Sequence, residues 1–335
     1  MPETLLLITI LIAVGFDFTN GFHDTANAIA TSVSTRALSP RMAVLLAAVL
    51  NLVGAIVTVV FFQAKVSNTI GKLVAFKAGL VVIIAALFGA ILWNLITWYA
   101  GLPSSSTHAL VGGLAGAAIA AAHGLGGVNG NEFWKTVASL IVSPPVGFLV
   151  AAIFMTLLLL AVRRMRPAPL NRTFRSLQVV TAALVSYSHG ANDAQKTMAT
   201  ITLALVATGH LATFKVPVWV VLLSATAIAF GTYAGGWRII RTLGWRIYKL
   251  DPATGMAAQL MSAAVIQFAT QFGLPVSTTH VVTGSVMGAG AAQRMSALRW
   301  GVGANIVAAW VLTIPAAGLT AWVAYAILHT AGLNG

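Results

Sequence analysis

The chain has 335 residues, of which 59% are hydrophobic and only 7% are charged. Because roughly a quarter of the residues in a soluble globular domain are charged, this composition excludes that class and indicates a polytopic membrane protein. The formal charge of +13 is carried by short loops between apolar segments, as the positive-inside tendency predicts, so no nucleic-acid partner is expected. Since there is no Cys, the chain has neither disulfides nor a thiolate metal site.

Eleven apolar segments follow one another along the chain, and several are long enough to cross a bilayer as helices. The first has no basic residue before it and leads directly into a polar motif, so we do not expect a cleaved signal peptide. Two segments are too short to cross and are predicted to be half-helices of re-entrant hairpins buried in protein, although ordinary short helices would give the same pattern. The segments are 4–19, 42–62, 78–100, 109–122 (short), 136–162, 176–188, 197–209, 217–236, 255–272, 280–293 (short) and 301–328.

A basic stretch at 163–175 divides the chain into two halves. It contains five arginines and no acidic residue, and the positive-inside tendency places it in the cytoplasm. The start of the first half carries no cation, so the two halves are predicted to enter the membrane from opposite sides, as inverted repeats do. Basic loops at 65–77 and 238–249 occur in both halves and fit this topology less well. The predicted organisation is a first repeat at 1–162, a cytoplasmic linker, and a second repeat at 176–335.

One polar motif occurs once in each half. GLPSSSTH at 101–108 returns as GLPVSTTH at 273–280, with six of the eight residues identical. Gly-Leu-Pro ends a helix, and the Ser/Thr run after it stands where a new helix begins, so free N–H groups and the helix dipole would attract an anion there. Ordinary helix caps have the same pattern, and His108 and His280 would then only brace the helices. The hydroxyl residues predicted to bind a tetrahedral oxyanion are Ser105, Ser106, Thr107, Ser277, Thr278 and Thr279.

A second polar motif precedes each GLP motif. NGFHDTANAIAT at 20–31 aligns without gaps with HGANDAQKTMAT at 189–200, so that Asp24 matches Asp193. A carboxylate within a membrane span is costly and is normally a functional residue with a partner. The alternative is a loop position at the face of the membrane. The duplication and the flanking apolar segments favour two functional carboxylates inside the membrane.

The side chains around the first carboxylate suit a small cation. Asp24, Asn20 and Asn27 offer oxygen ligands within two helical turns, and a break at the glycine of this motif would add backbone carbonyls. In the second half the position of Asn27 is occupied by Lys196, an ammonium that could pair with Asp193 or face an anion. The two halves are therefore predicted to differ in their need for a cation. Histidines able to exchange protons, but more typical of structural hydrogen bonds, are His23, His108, His189 and His280.

In residues and in order, these four motifs resemble those of the inorganic phosphate transporter (PiT) family. NGFHDTANAIAT and SHGANDAQK resemble its paired Asp motifs, and GLPSSSTH and GLPVSTTH resemble its two Ser/Thr hairpin motifs. The resemblance implies an all-α polytopic membrane fold of two inverted-topology repeats, each with a re-entrant hairpin and together making about ten membrane spans. It also implies a homodimer in the lipid bilayer, and phosphate transport with a co-transported cation, H⁺ or Na⁺, and no other cofactor.

The resemblance also assigns residues to roles. Asp24, Asn27, Asn192 and Asp193 match the cation- and substrate-site motifs of the family, and the six hydroxyl residues match its phosphate-contacting hairpin tips. Sodium-coupled members tend to have Asn where this chain has Lys196, which favours protons over sodium and adds Lys196 to the substrate site. If the coupling ion is sodium, the metal ligands are expected to be Asp24, Asn27 and Asp193.

The predicted function is import of inorganic phosphate, free or as a metal complex, across the inner (plasma) membrane by cation symport and alternating access. Sodium coupling and sulfate transport remain open within the same family. An anion channel is a second class, but a passive anion pore gains nothing from fixed carboxylates. An enzyme with Asp24 and Asp193 as a catalytic pair is a third class, and we expect none, because duplication of the whole half favours a two-fold transport path.

Overall fold

Residues 2–76 and 78–333, which the computed structural model describes, fold into twelve α-helices and no β-strand. Helices suit a chain that lies in lipid, because each helix bonds its own backbone N–H and C=O groups where water is absent. One isolated bridge joins Val74 to Val128 in the connections. The helices of the first half are α1 (Pro2–Ser34), α2 (Pro40–Phe62), α3 (Lys65–Gly71), α4 (Leu80–Ala100), α5 (Ser106–Ala121) and α6 (Gly130–Val162).

The second half has the same order of helices as the first: two helices, a very short one, two on either side of the GLP motif, and a long last helix. A π-helical turn, Thr242–Arg246, directly follows its shortest helix. The helices are α7 (Pro167–Ala207), α8 (Val218–Ala234), α9 (Trp237–Arg241), α10 (Pro252–Gln271), α11 (Thr278–Arg294) and α12 (Trp300–Thr330).

By length and composition, five of these helices can cross a membrane: α1, α2, α4, α6 and α12. A sixth candidate is α8 together with Trp237–Arg246, two pieces that bend by 60° at the glycines between them. Helix α7 has 41 residues but is not among the candidates, because its basic start and its polar motif lower its apolarity. The protein is therefore a helical membrane protein.

The expected glycine break in the first Asp motif is wrong. Helix α1 runs through the motif without interruption, so its backbone carbonyls stay in intrahelical hydrogen bonds. A continuous helix can nevertheless present the polar side chains together, because residues three and four apart lie on one face. The buried polar residues at this spacing are Asp17, Asn20, Asp24, Asn27 and Thr31.

The second Asp motif lies on a continuous helix as well. The apolar segments 176–188 and 197–209 are both part of α7, with the motif in its middle. The basic stretch predicted as a linker at 163–175 is also mostly helical, because α7 begins at Pro167 and only 163–166 connects it to α6. Proline at the first helical position explains this start, since its missing N–H has no intrahelical partner there in any case.

Both GLP motifs separate two helices, as predicted. Helix α4 ends before Gly101, and α10 ends two residues before Gly273; these glycines have φ values of +67° and +68°. Glycine adopts this left-handed conformation at a lower cost than residues with a Cβ, which explains the residue at both positions. Helix α4 packs on α5 and α10 packs on α11, and the two short helices α5 and α11 are buried along most of their length.

The two halves pack on each other through equivalent helices. Helix α1 packs on α8 and α2 packs on α7, while α5 packs on α12 and α6 packs on α11. Gly21 of α1 faces the backbone of α8, and Gly190, its counterpart on α7, faces the backbone of α2 at Asn51. An added Cβ would clash with backbone atoms at both glycines, so close helix contact requires the missing side chain. This cross-packing brings α1 and α7, with their Asp motifs, together in the core.

Candidate functional site

Asp24 of α1 lies at the centre of a buried polar cluster. Its Oδ1 is 2.7 Å from Nδ1 of His23 and 3.1 Å from the hydroxyl of Thr279, and its Oδ2 is 3.0 Å from the hydroxyl of Ser106. Ser106 begins α5 and Thr279 lies in the first turn of α11. One carboxylate therefore accepts hydrogen bonds from the starts of two short helices that belong to different halves of the chain.

Asp193 of α7 forms an ion pair with Lys196. Lys196 Nζ lies 2.8 Å from Asp193 Oδ2, and it also donates to the hydroxyls of Ser106 at 2.8 Å and Thr107 at 3.2 Å. The hydroxyl of Thr278 donates to the same carboxylate oxygen at 3.3 Å. Both charged groups are buried, and a buried charge needs this combination of counterion and hydrogen bonds to be tolerated.

Ser106 and Thr279 each relay a hydrogen bond to Asp24. Ser106 accepts from Lys196 and donates to Asp24, while Thr279 accepts from the amide of Asn27 at 2.9 Å and donates to Asp24. Each hydroxyl can donate only one hydrogen bond, and it donates that bond to the carboxylate. The two hydroxyls are thus equivalent links between a nitrogen donor and one acid.

Ser105 and Ser277 have a different position from the other hydroxyl residues. Each is the N-cap of its short helix: Ser105 accepts from the N–H of His108 at 3.1 Å, and Ser277 accepts from the N–H of His280 at 3.2 Å. Neither donates to the carboxylates. The capping interpretation of the Ser/Thr runs therefore holds for Ser105 and Ser277, whereas the residues that follow them, Ser106, Thr107, Thr278 and Thr279, point into the cluster.

The remaining predicted site residues are all buried but differ in their contacts. Among residues 2–76 and 78–333, Oδ1 of Asn27 has no hydrogen-bond partner, and Asn192 donates to Thr270 at 2.8 Å while its own Oδ1 has none. Within the same residues, Asn20 has no partner for either polar atom and forms no hydrogen bond with Asp24. Asn27 therefore joins the cluster directly, whereas Asn20 and Asn192 lie beside it with free acceptor atoms.

His189 lies between the two carboxylates. Its Nε2 lies 3.3 Å from Asp193 and 3.9 Å from Asp24, and its Nδ1 lies 3.1 Å from Oδ1 of Asn51. Ligand atoms of Asp24, His189 and Asp193 all lie within 4.8 Å of one another, close enough to share a small cation. The imidazole, which the sequence indicated only as one histidine among four, thus occupies the space between the two predicted cation residues.

Sequence reasoning missed a third buried carboxylate. Asp17 is fully buried on the same face of α1 as Asn20 and Asp24, and neither of its oxygens has a hydrogen-bond partner among the described residues. Comparison of the halves could not find it, because the matching position in the second half is Ser186. The detectable signal was a charged residue within the first apolar segment.

His108 and His280 meet beside the cluster. Their ring centroids are 4.4 Å apart, and His280 stacks on Trp310 of α12 at 3.8 Å. Both imidazoles are buried, and in the part of the chain that the structure describes Nδ1 of His108 and Nε2 of His280 have no hydrogen-bond partner. The two histidines thus place the starts of α5 and α11 in direct contact with each other.

A bundle of apolar helices around buried carboxylates, an ammonium and two converging helix N-termini is the arrangement typical of a membrane transport protein. The profile of the phosphate transporter family matches residues 20–321, and the chain belongs to that family. Its relatives are transporters, so the protein is a transporter and not an enzyme. The family resemblance of the four motifs is thereby confirmed.

Relatives match along nearly the whole chain. A protein of Bacillus subtilis named "Probable low-affinity inorganic phosphate transporter" is 48% identical and covers 98% of this chain and 99% of its own. One of Rhizobium meliloti with the same name is 46% identical and covers 96% of both chains. Among solved structures, one named "The sodium-dependent phosphate transporter" has a TM-score of 0.86 at 28% identity and covers 98% of this chain and 99% of its own.

Proposed function

We propose that this protein is a secondary active transporter that imports inorganic phosphate together with a cation, and that Asp24 couples the two. The observation that carries the proposal is the pair of hydroxyls on Asp24, from Ser106 and from Thr279. They come from the two predicted anion-binding helix starts, one in each half. A single acid therefore controls donors that a bound oxyanion would need from both sides.

The chemistry of coupling follows from the number of protons. While Asp24 is ionised, it accepts the one hydrogen bond that each hydroxyl can donate, and its negative charge repels an anion. When a proton or a metal cation neutralises Asp24, the hydroxyls of Ser106 and Thr279 become free to donate to a phosphate oxygen. Lys196 and the backbone N–H groups of α5 and α11 supply further positive potential. Phosphate and cation thus favour each other's binding.

We further propose that the coupling ion is the proton. Lys196 Nζ forms an ion pair with Asp193, at a place where a metal ion would otherwise be needed as the counterion. Two imidazoles, His23 and His189, adjoin Asp24, and imidazole exchanges protons near neutral pH. Sodium coupling is the alternative, supported by the unpartnered Oδ1 of Asn27 next to the site and by the structural relative, which is named as sodium-dependent.

The two halves are proposed to be inverted repeats, at 1–162 and 176–335, that move against each other in alternating access. The reciprocal packing of α1 on α8 and of α7 on α2 is the arrangement that a two-fold relation gives. The proposed architecture has one re-entrant hairpin in each half, α4–α5 and α10–α11, and about ten membrane spans in all. We also propose a homodimer in the inner membrane, with phosphate carried free or as a metal complex.

Uptake of radiolabelled phosphate into proteoliposomes tests the function. An imposed proton gradient without sodium should drive accumulation above the external concentration, and a sodium gradient at constant pH should not. Accumulation that depends on sodium alone would show that the coupling ion is sodium and not the proton. Equal competition by sulfate would show that the protein does not select phosphate over sulfate. Equilibration without accumulation under either gradient would indicate an anion channel and contradict symport.

A further inference from the structure

The first GLP break is held by α9 of the opposite half. Nη1 of Arg238 donates to the carbonyl of Tyr99 at 2.6 Å, and the hydroxyl of Thr242 donates to the carbonyl of Gly101 at 2.8 Å. These carbonyls belong to the last turn of α4 and to its C-cap, where no intrahelical donor is available. A cation and a hydroxyl therefore complete the end of the helix.

The second break is held in the same way by α3 of the first half. Lys65 donates from Nζ to the carbonyl of Gln271 at 3.0 Å, and the hydroxyl of Thr69 donates to the carbonyl of Gly273 at 2.7 Å. Aligned without gaps, KVSNTIG at 65–71 matches RIIRTLG at 238–244, so the cation and the hydroxyl occupy equivalent positions. Support of the break accounts for these residues in both halves.

Two further arginines have no such counterpart. In this alignment Arg241 matches Asn68 and Arg246 matches Leu73. Both arginines are exposed and, within residues 2–76 and 78–333, neither forms an ion pair with a carboxylate. Because the second break is held without equivalent charges, Arg241 and Arg246 are not explained by support of the helix end.

Arg238, Arg241 and Arg246 line one cavity of about 310 Å³, which we call the arginine pocket. Ala100, the last residue of α4, and Gly101 of the first GLP motif also line it. The three arginines share one face because α9 and the π-helical turn bring residues three to five positions apart to the same side. The cavity thus combines like charges that would repel each other without an anion.

Arg238 is held in place at the edge of this cavity. Its guanidinium lies 4.6 Å from the ring centre of Tyr99 and 5.5 Å from that of Trp98, in addition to its bond with the backbone. A guanidinium has five N–H donors, and one hydrogen bond to a carbonyl leaves the others available. The pocket therefore contains one guanidinium held by the backbone and by aromatic rings, and two that are exposed and, within the described residues, form no ion pair.

We propose that the arginine pocket binds a phosphate group, as a second anion site next to the hairpin α4–α5. Guanidinium groups match phosphate oxygens in pairs and hold them more selectively than ammonium groups do. The phosphate group belongs either to inorganic phosphate on its path to or from the buried cluster, a source that rests on the proposed function, or to the headgroup of an anionic phospholipid. Exposed Trp237 and Trp245 beside the pocket are typical of the membrane interface, where both sources are present.

A ligand in this pocket would act directly on the hairpin. Thr242 links the pocket to the carbonyl of Gly101, and the chain continues from Gly101 to Ser106, which donates to Asp24. Gly101, in the wall of the pocket, is thus separated by only the short segment between α4 and α5 from Ser106, the residue that is hydrogen-bonded to Asp24. Occupancy is expected to alter how readily the hairpin tip moves.

Chemical modification of arginine tests binding at the pocket itself. The full-length protein in detergent is treated with phenylglyoxal, and modification of each arginine is followed by peptide mass spectrometry with inorganic phosphate, with dioleoyl phosphatidylglycerol, or with chloride and phosphatidylcholine as the reference. At four times its Kd, a ligand in the pocket should slow modification of Arg241 and Arg246 about fivefold. Arg164, exposed in the connection between α6 and α7, should react at the same rate throughout. Equal rates at Arg241 and Arg246 under all conditions would overturn the proposal.

Transport then distinguishes the two sources. The variant with Arg241→Asn and Arg246→Leu takes the residues of the first half, and Arg164→Gln serves as the charge control. If inorganic phosphate is the ligand, the double variant should raise the KM for phosphate about threefold to tenfold in liposomes of phosphatidylcholine alone, as expected for screened charge contacts. If a lipid is the ligand, uptake by the double variant should instead no longer be stimulated by phosphatidylglycerol.

A double variant whose uptake matches that of the wild type in both membranes contradicts the proposal. A wild-type protein without phosphate uptake would contradict the proposed function, and the modification experiment would still decide the pocket.

Discussion

Lys196 Nζ lies 2.8 Å from Asp193 Oδ2, three positions along α7, and both side chains are buried. The equivalent of Lys196 in the first half is Asn27, whose amide donates to Thr279 instead. Within the described residues, Asp193 is therefore paired with an ammonium, whereas the groups facing Asp24 as possible cationic partners at ion-pair distance are imidazoles. Loss of the negative charge of Asp24 would leave no ammonium without its counterion in the core, which supports its proposed role as the coupling acid.

The ion pair predicts a distinctive pattern of stability. Asp193→Asn should destabilise the protein by about 3–5 kcal/mol, because it leaves the ammonium of Lys196 buried without a counterion. The double variant Asp193→Asn, Lys196→Met should recover most of that loss, since the charge is removed as well. Thermal unfolding in detergent micelles measures both. Equal melting temperatures for the single and the double variant would show that the pair is not formed.

Exchange of Lys196 for the residue of the first half should alter the coupling ion. In Lys196→Asn the ammonium is replaced by an amide oxygen next to Asp193, which creates a set of oxygen ligands that suits a small cation. We expect phosphate uptake to become dependent on sodium, with little uptake in choline. The assay is initial uptake in proteoliposomes at constant pH in either salt. Lys196→Arg, which keeps the charge, is the control and should not respond to sodium; uptake by Lys196→Asn that is equal in both salts contradicts the prediction.

Adjacent serines in the first Ser/Thr run should have separable effects. Ser106→Ala removes the hydroxyl between Lys196 and Asp24 and should reduce phosphate uptake at least about tenfold, a loss of roughly 1.4 kcal/mol or more in transition-state stabilisation. Ser105→Ala removes only the cap of α5 and should cost about 1 kcal/mol of stability with a nearly unchanged KM. Uptake kinetics and thermal unfolding of both variants give the comparison. The reverse pattern would assign the anion site to Ser105.

Two glycines of α1 should respond in opposite directions to alanine. Gly21 faces the backbone of α8, so Gly21→Ala should destabilise the protein by about 1–3 kcal/mol through overpacking. Gly15 has no atom within 4 Å of an added Cβ, and Gly15→Ala should be neutral or stabilise the helix by up to about 1 kcal/mol. Melting temperatures in detergent test the pair. A destabilisation of the same size at both positions would mean that helix contact is not the cause.

The sequence predicted the residues of the cluster better than the shape of the chain around them. Asp24, Asp193 and the Ser/Thr runs were found because each occurs twice at matching positions in apolar sequence, where polar groups are costly. Asp17 was missed because its match is Ser186, and the predicted break at the first Asp motif was wrong because glycine within a helix is tolerated where another backbone packs on it. A local pattern does not state which neighbour lies beside a glycine.

The sequence by itself determined the class of protein, the family, the two GLP breaks and the asymmetry between Asn27 and Lys196, because composition, duplication and special backbone conformations are local properties. Only the tertiary structure decided that Ser106 and Thr279 share one acid, that His189 lies between the carboxylates, and that Ser105 and Ser277 are caps. These facts depend on contacts between residues far apart in the chain, which result from the packing of each half on the other.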